Sequence, residues 1–184
     1  AAAVAGGGGG DRSGPGGGTM GLVSQYRDML ASVNSNRSKI AVMRSKIHNW
    51  GVFATQAIPK GEMVVEYQGE LIRQSISDMR ETVYERSGMV GDCYMFKVDD
   101  ALVVDATRAG NVARFINHAC DPNCYATVID LPSLSGLRGG KKIAMFARRP
   151  ITVGEEVTYD YKFALGADKV PCYCGAANCM GRMN

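Results

Sequence analysis

The sequence predicts a mostly β domain of short, curved sheets with few short helices, and three observations carry that prediction. Brief runs rich in β-branched and aromatic residues recur along the chain, each bounded by Gly, Pro, Asp or Asn. Only two stretches between those runs show helical spacing. Strands and helices do not alternate regularly, which argues against a doubly wound parallel sheet.

Nine of the first 18 residues are glycine, in AAAVAGGGGGDRSGPGGG. Such a stretch has no apolar face to bury, so residues 1–20 read as a disordered Gly-rich linker or an expression remnant. It lacks the basic and apolar regions of a signal peptide. With no Met at position 1, the chain reads as an excised part of something larger. Residues 21–40 are expected to carry a flanking helix, because Leu22, Val23, Tyr26, Met29, Leu30 and Val33 recur at helical spacing. The expected strands are Met63–Tyr67, Tyr94–Val98, Leu102–Val104, Tyr125–Ile129, Ile143–Ala147 and Val157–Tyr161. Ile76, Met79 and Val83 form a helical stripe, with Ser75–Asp78 as a capping box and Gly88 as a stop. Val112, Phe115 and Ile116 predict a shorter helical turn. The main domain is placed at 41–163 and a cysteine-rich segment at 164–184.

At 184 residues and 46% apolar, the chain has material for one real core. No apolar run approaches the roughly 18 residues needed to cross a bilayer. A net charge of +3 is too mild for a nucleic-acid footprint. Arg138, Lys141 and Lys142, and again Arg148 and Arg149, read as solvated surface.

Three of the six cysteines fall in Cys172-Tyr-Cys174-Gly-Ala-Ala-Asn-Cys179. This spacing brings three thiolates to one point and leaves a tetrahedral zinc site one ligand short. The fourth must come from Cys93, Cys120 or Cys124. Cys93 opens a strand, so the two loop cysteines are the better candidates.

Four segments occur in a telling order: Ile47-His-Asn-Trp-Gly-Val-Phe53, Arg114-Phe-Ile-Asn-His-Ala-Cys-Asp-Pro-Asn-Cys124, Gly154-Glu-Glu-Val-Thr-Tyr-Asp-Tyr161 and the cysteine tail. Together they resemble a SET-domain lysine methyltransferase with its post-SET zinc segment, over about residues 40–184. Ile72-Arg-Gln, Cys93-Tyr-Met-Phe96, Val104-Asp-Ala-Thr107 and Tyr159-Asp-Tyr-Lys-Phe163 resemble the trithorax/COMPASS group, with a plant trithorax-like cast in Gly69-Glu-Leu-Ile-Arg73 and Ser87-Gly-Met-Val-Gly91.

The resemblance implies a knot-like core and methyl transfer from S-adenosylmethionine to the fourth residue of histone H3, a lysine, with mainly monomethyl product from the isolated domain. It implies Tyr161, Tyr159 and Tyr94 as catalytic residues around a channel closed by Phe163, with Tyr159 at the family's Phe/Tyr switch position. His48, Trp50, Tyr94, Asn117, His118 and Tyr173 would bind the cofactor, Asn117 through its amide and His118 mainly through its backbone. Among the cysteines it selects Cys120, Cys172, Cys174 and Cys179 for structural Zn2+ and leaves Cys124 as a packed thiol. Implied partners are the histone H3 tail and COMPASS-type core subunits including a WD-repeat protein, in the nucleus on chromatin, with neither membrane nor sequence-specific nucleic-acid binding. A weakly active SET fold serving as an H3-tail binding or assembly module is the competing reading. Residues 131–140 read as a mobile surface insertion.

Overall fold

The computed structural model describes residues 3–4, 19–34, 38–89, 93–134, 139–163 and 169–183. Its elements are β1 (Ala3–Val4), α1 (Thr19–Asn34), β2 (Ile40–Arg44), β3 (Trp50–Ala54), β4 (Met63–Tyr67), β5 (Glu70–Arg73), α2 (Gln74–Arg86), β6 (Met95–Lys97), β7 (Leu102–Asp105), a 3₁₀ turn (Val112–Phe115), β8 (Asn117–His118), β9 (Cys124–Leu131), β10 (Gly140–Ala147) and β11 (Glu156–Tyr159). The mostly β prediction holds. The strands form three small sheets ordered β1-β6-β7-β5, β4-β10-β9 and β2-β3-β11-β8. No described helix is long and apolar enough to cross a membrane.

Most of the linker assigned to residues 1–20 lies outside the described residues. Within it, Ala3–Val4 pairs in parallel with Phe96 and Lys97, and Thr19 and Met20 already belong to α1. That helix turns Val23, Tyr26 and Met29 onto Met63, Ile129, Ala144 and Phe146 of the β4-β10-β9 sheet, as its spacing predicts; the side chain of Val33 lies outside the described residues. Tyr26 Oη donates to the buried Glu66 carboxylate at 2.6 Å and fixes the docking.

Helix α2 departs from expectation. Its N-cap is Arg73, in extended conformation and with no side-chain cap bond. Ser75 is already helical, so the capping box does not form. The Ile76, Met79 and Val83 stripe is also not the docked face, for Met79 and Val83 are 57% and 50% exposed. The helix packs through Ser77 and Tyr84. Tyr84 Oη donates to Asp105 at 2.9 Å and Arg80 Nη1 at 2.8 Å, so polar partners outcompete the apolar stripe for the core. Gly88 ends the element at φ +80, in the left-handed region that suits glycine.

Besides β1, four strands were not expected: β2, β3, β5 and β8. The β9 and β10 strands extend further than predicted, pairing through Leu131 and Gly140, so the insertion narrows to the hairpin end, of which residues 135–138 lie outside the described residues.

The main core joins Val52, Phe96, Ile116, Met145, Val157 and Tyr159. It sits where β3, β8 and β11 meet. β8 runs parallel to β11, with Asn117 opposite Thr158 and His118 opposite Tyr159. This short parallel pairing brings segments 41 residues apart into one site.

Candidate active site and metal centre

Strand β11 presents Tyr159, and the chain continues through Tyr161 and Phe163. Their rings form a contiguous wall, with centroids 4.8 Å apart for Tyr159–Tyr161 and 5.2 Å for Tyr161–Phe163. Phe96 stacks on Tyr159 at 5.7 Å, nearly parallel. Tyr67, which sequence reasoning passed over, packs on Phe96 at 5.1 Å. Tyr94 meets Phe115 edge-on at 5.9 Å, its backbone held by Thr107 Oγ1 and by the Ala106 amide.

Burial, reinforced by neighbouring phenols, raises the hydroxyl pKa values of Tyr159, Tyr161 and Tyr67. These phenols keep their protons at neutral pH, so none of them serves as a proton-abstracting base there. Tyr161 Oη donates to the carbonyl of Ile116 at 2.8 Å, which fixes its hydroxyl beside the 3₁₀ turn.

Behind the wall, β8 ties the loop before β3 to the sheet. Asn117 Nδ2 donates to Glu156 Oε1 at 2.8 Å and to the carbonyl of Trp50 at 3.0 Å, with that of His48 at 3.4 Å. All three neighbours are acceptors, so the amide NH2 must face them and the carbonyl oxygen Oδ1 faces away. Trp50 lies under the Arg44 guanidinium, 4.1 Å from its ring centroid, and His48 is exposed.

His118 is buried, and burial lowers its pKa against the opposing pull of Asp160. Its neutral ring accepts the Tyr161 amide N–H at Nδ1, 3.2 Å away. Two further residues carry no obvious sequence signal. Buried Asn123 donates to Glu155 Oε1 and the Glu156 carbonyl and accepts from the Thr158 amide. Glu156, within the Gly154–Tyr161 segment, opens β11 and carries no role of its own in the sequence reading.

The cysteine cluster resolves the three-way choice. Sγ atoms of Cys120, Cys172, Cys174 and Cys179 all lie within 4.8 Å of one another, while Cys124 is buried separately in the core. Cys120 lies 3.8 Å from both Cys172 and Cys179. A tetrahedral zinc with bonds of about 2.3 Å requires sulfur–sulfur edges of about 3.8 Å, so the four thiols fit that ion.

Amide N–H groups point at the sulfurs, from Cys120 to Cys174 at 3.5 Å and from Gly181 to Cys179 at 3.4 Å. Burial opposes ionisation, yet such hydrogen bonds bring the Cys174 thiol down to about 7. The knuckle closes with the Pro171–Arg182 bridge. Tyr173, between two of the clustered cysteines, lies in an irregular segment with its ring 69% exposed.

Residues 49–162 match the family described as SET domain. The chain is 46% identical over 167 residues to the histone-lysine N-methyltransferase SETD1A of Homo sapiens, covering 91% of this chain and 9% of that protein. It is 47% identical over 148 residues to SETD1 of Drosophila melanogaster and 50% identical over 148 to human SETD1B, covering 80% of this chain and 9% and 7% of those proteins. The chain thus spans less than a tenth of the length of these relatives. A family match over more than half of the chain, closed by the four-cysteine knuckle, makes this protein a member of the SET-domain family.

Proposed function

We propose that this domain is a protein-lysine methyltransferase that uses S-adenosylmethionine and acts on the fourth residue of the histone H3 tail, a lysine. The observation that carries the reading is the Tyr159–Tyr161–Phe163 wall abutting the Asn117–His118 strand. The bound cofactor supplies an electrophilic methyl on a sulfonium. The protein must supply a neutral amine in line with it. At pH 7.4 about one lysine in a thousand is neutral, which costs roughly 4 kcal/mol. An aromatic channel lowers that cost by excluding water, because desolvation disfavours the ammonium. Protonated phenols orient the amine lone pair and leave the proton to depart to solvent.

On this reading Tyr161 stands at the transfer centre, Tyr159 limits the product to mainly monomethyl-lysine, and Tyr94 borders both channel and cofactor. His48, Trp50, Asn117, His118 and Tyr173 surround the cofactor. Cys120, Cys172, Cys174 and Cys179 hold a structural Zn2+. Leu71, Met79 and Val83, exposed by half or more, support a docking role for partner subunits of the COMPASS type, including a WD-repeat protein, and the setting is nuclear chromatin.

The test uses labelled S-adenosylmethionine with two H3-tail peptides, one native and one with alanine in place of the fourth-position lysine. Label on the native peptide alone is expected. Equal label on both would overturn the site preference, and cofactor binding without transfer would favour the binding-module reading.

A further inference from the structure

Glu156 lies between the two strands that carry the cofactor side of the site. On β11 it pairs with Phe53 of β3, two positions before Thr158 pairs with Asn117 of β8. Its carboxylate makes two sets of contacts. Oε1 accepts from Asn117 Nδ2 at 2.8 Å, and both oxygens accept from Ser45 Oγ, at 2.8 and 2.9 Å. Ser45 Oγ in turn accepts the amide of Ile47 at 2.9 Å and that of His48 at 3.4 Å. One carboxylate therefore fixes the Asn117 amide and, through Ser45, the start of the loop that reaches Trp50.

The backbone at Gly51 leaves room for this arrangement. A Cβ there would stand 2.3 Å from Glu156 Oε1. Only glycine allows the carboxylate to come this close under the loop.

We infer that Glu156 is a positioning residue of the cofactor pocket, holding Asn117 so that Oδ1 faces outward as an acceptor for a cationic donor, the α-ammonium of the cofactor's amino-acid end. This rests on the cofactor reading above. Glu156 accepts at both oxygens and cannot donate. With that carboxylate beside it, the Asn117 amide has one satisfactory orientation. A glutamine in its place can present an NH2 to Asn117, so that only the carbonyls of Trp50 and His48 still hold the amide, and the turned-over state with its NH2 toward the cationic ligand becomes accessible.

The experiment compares two probes by calorimetry and competition on the zinc-loaded chain. S-adenosylhomocysteine carries the amino-acid end; methylthioadenosine shares the nucleoside and lacks that end. Glu156→Gln should weaken S-adenosylhomocysteine about tenfold, the order of one lost charge-matched contact, and leave methylthioadenosine within about twofold. In turnover, KM for the cofactor should rise while KM for peptide holds. Equal loss of both probes would reduce Glu156 to a structural role and overturn the inference, as would unchanged binding of both. Failure of the wild-type chain to bind either probe would instead sink the cofactor reading itself. If Glu156→Gln fails to melt cooperatively, Glu156→Asp, which withdraws the carboxylate by one methylene, answers the same question with the same two probes.

Discussion

The amide N–H of Tyr161 donates to Nδ1 of His118, 3.2 Å away. That bond requires a bare Nδ1, so the neutral ring carries its proton on Nε2, which faces Cys120 Sγ at 3.6 Å. One imidazole thus bridges the cysteine cluster and the backbone of the channel tyrosine. His118→Asn separates the two ends, since the asparagine oxygen replaces Nδ1 and nothing replaces Nε2. Zinc affinity should fall about tenfold, in the range of outer-shell losses, while turnover at saturating zinc stays above that of His118→Ala. Competition with a chromophoric chelator measures the first, and peptide methylation the second. Unchanged zinc affinity would remove the bridge.

Cys120→Ser should abolish the metal, whereas Cys124→Ser should retain one zinc per chain, because Cys124 is packed in the core away from the four-sulfur group. Chelation should lower both the melting temperature and the affinity for S-adenosylhomocysteine, since metal binding and folding of the knuckle are coupled. Metal analysis and calorimetry check both. Zinc in full amount on Cys120→Ser would refute the ligand set.

The proposed product specificity rests on Tyr159, buried with its ring 4.8 Å from that of Tyr161. On that reading its hydroxyl would bond the lysine amine or hold a water beside it, so Tyr159→Phe would remove about 1 kcal/mol and free that space for further methyl groups. Each 1.4 kcal/mol is about tenfold in rate. Mass spectrometry should show di- and trimethyl peptide rising from a mainly monomethyl wild type. Tyr161→Phe should abolish transfer and leave cofactor affinity within a few-fold.

Asp105 has no exposed side chain and pairs with Arg80 at 2.8 Å. Burial pushes its pKa up, but hydrogen bonds from Arg80, Thr107 and Tyr84 outweigh burial and hold it below the usual carboxylate value. A depressed folded pKa gives stability that is present above the unfolded value of about 3.9 and is lost as pH falls through the folded one. Stability should therefore drop below about pH 4, measured by urea titration across pH. Asp105→Asn should flatten that drop and cost about 3 kcal/mol at neutral pH, the order for one partner removed from a buried pair. An unchanged acid limb would show that other carboxylates dominate.

The chemistry was more legible in the sequence than the architecture. The cysteine tail announces itself by residue type and spacing, while the Asn-His and Tyr-x-Tyr segments become legible through the family resemblance; the knuckle and the aromatic wall follow. β8 is two residues, Asn117 and His118, too short and too polar to show periodicity. For α2 the apolar stripe pointed to the wrong face, because a buried carboxylate on β7 captured Arg80 and Tyr84. Glu156 and Asn123 lie in the quoted segments, but their roles went unread for the same reason: their importance lies in partners far along the chain, which local pattern does not encode.

The 111 positions between Ser45 and Glu156 also set a timetable for biogenesis. At about 5–20 residues per second, translation leaves the Ser45 loop waiting roughly 5 to 20 s for its carboxylate. During that interval the β2–β3 hairpin has no β11 to cover its edge. The nascent chain therefore carries an open strand edge until β11 has been made, and chaperone demand should concentrate in that window.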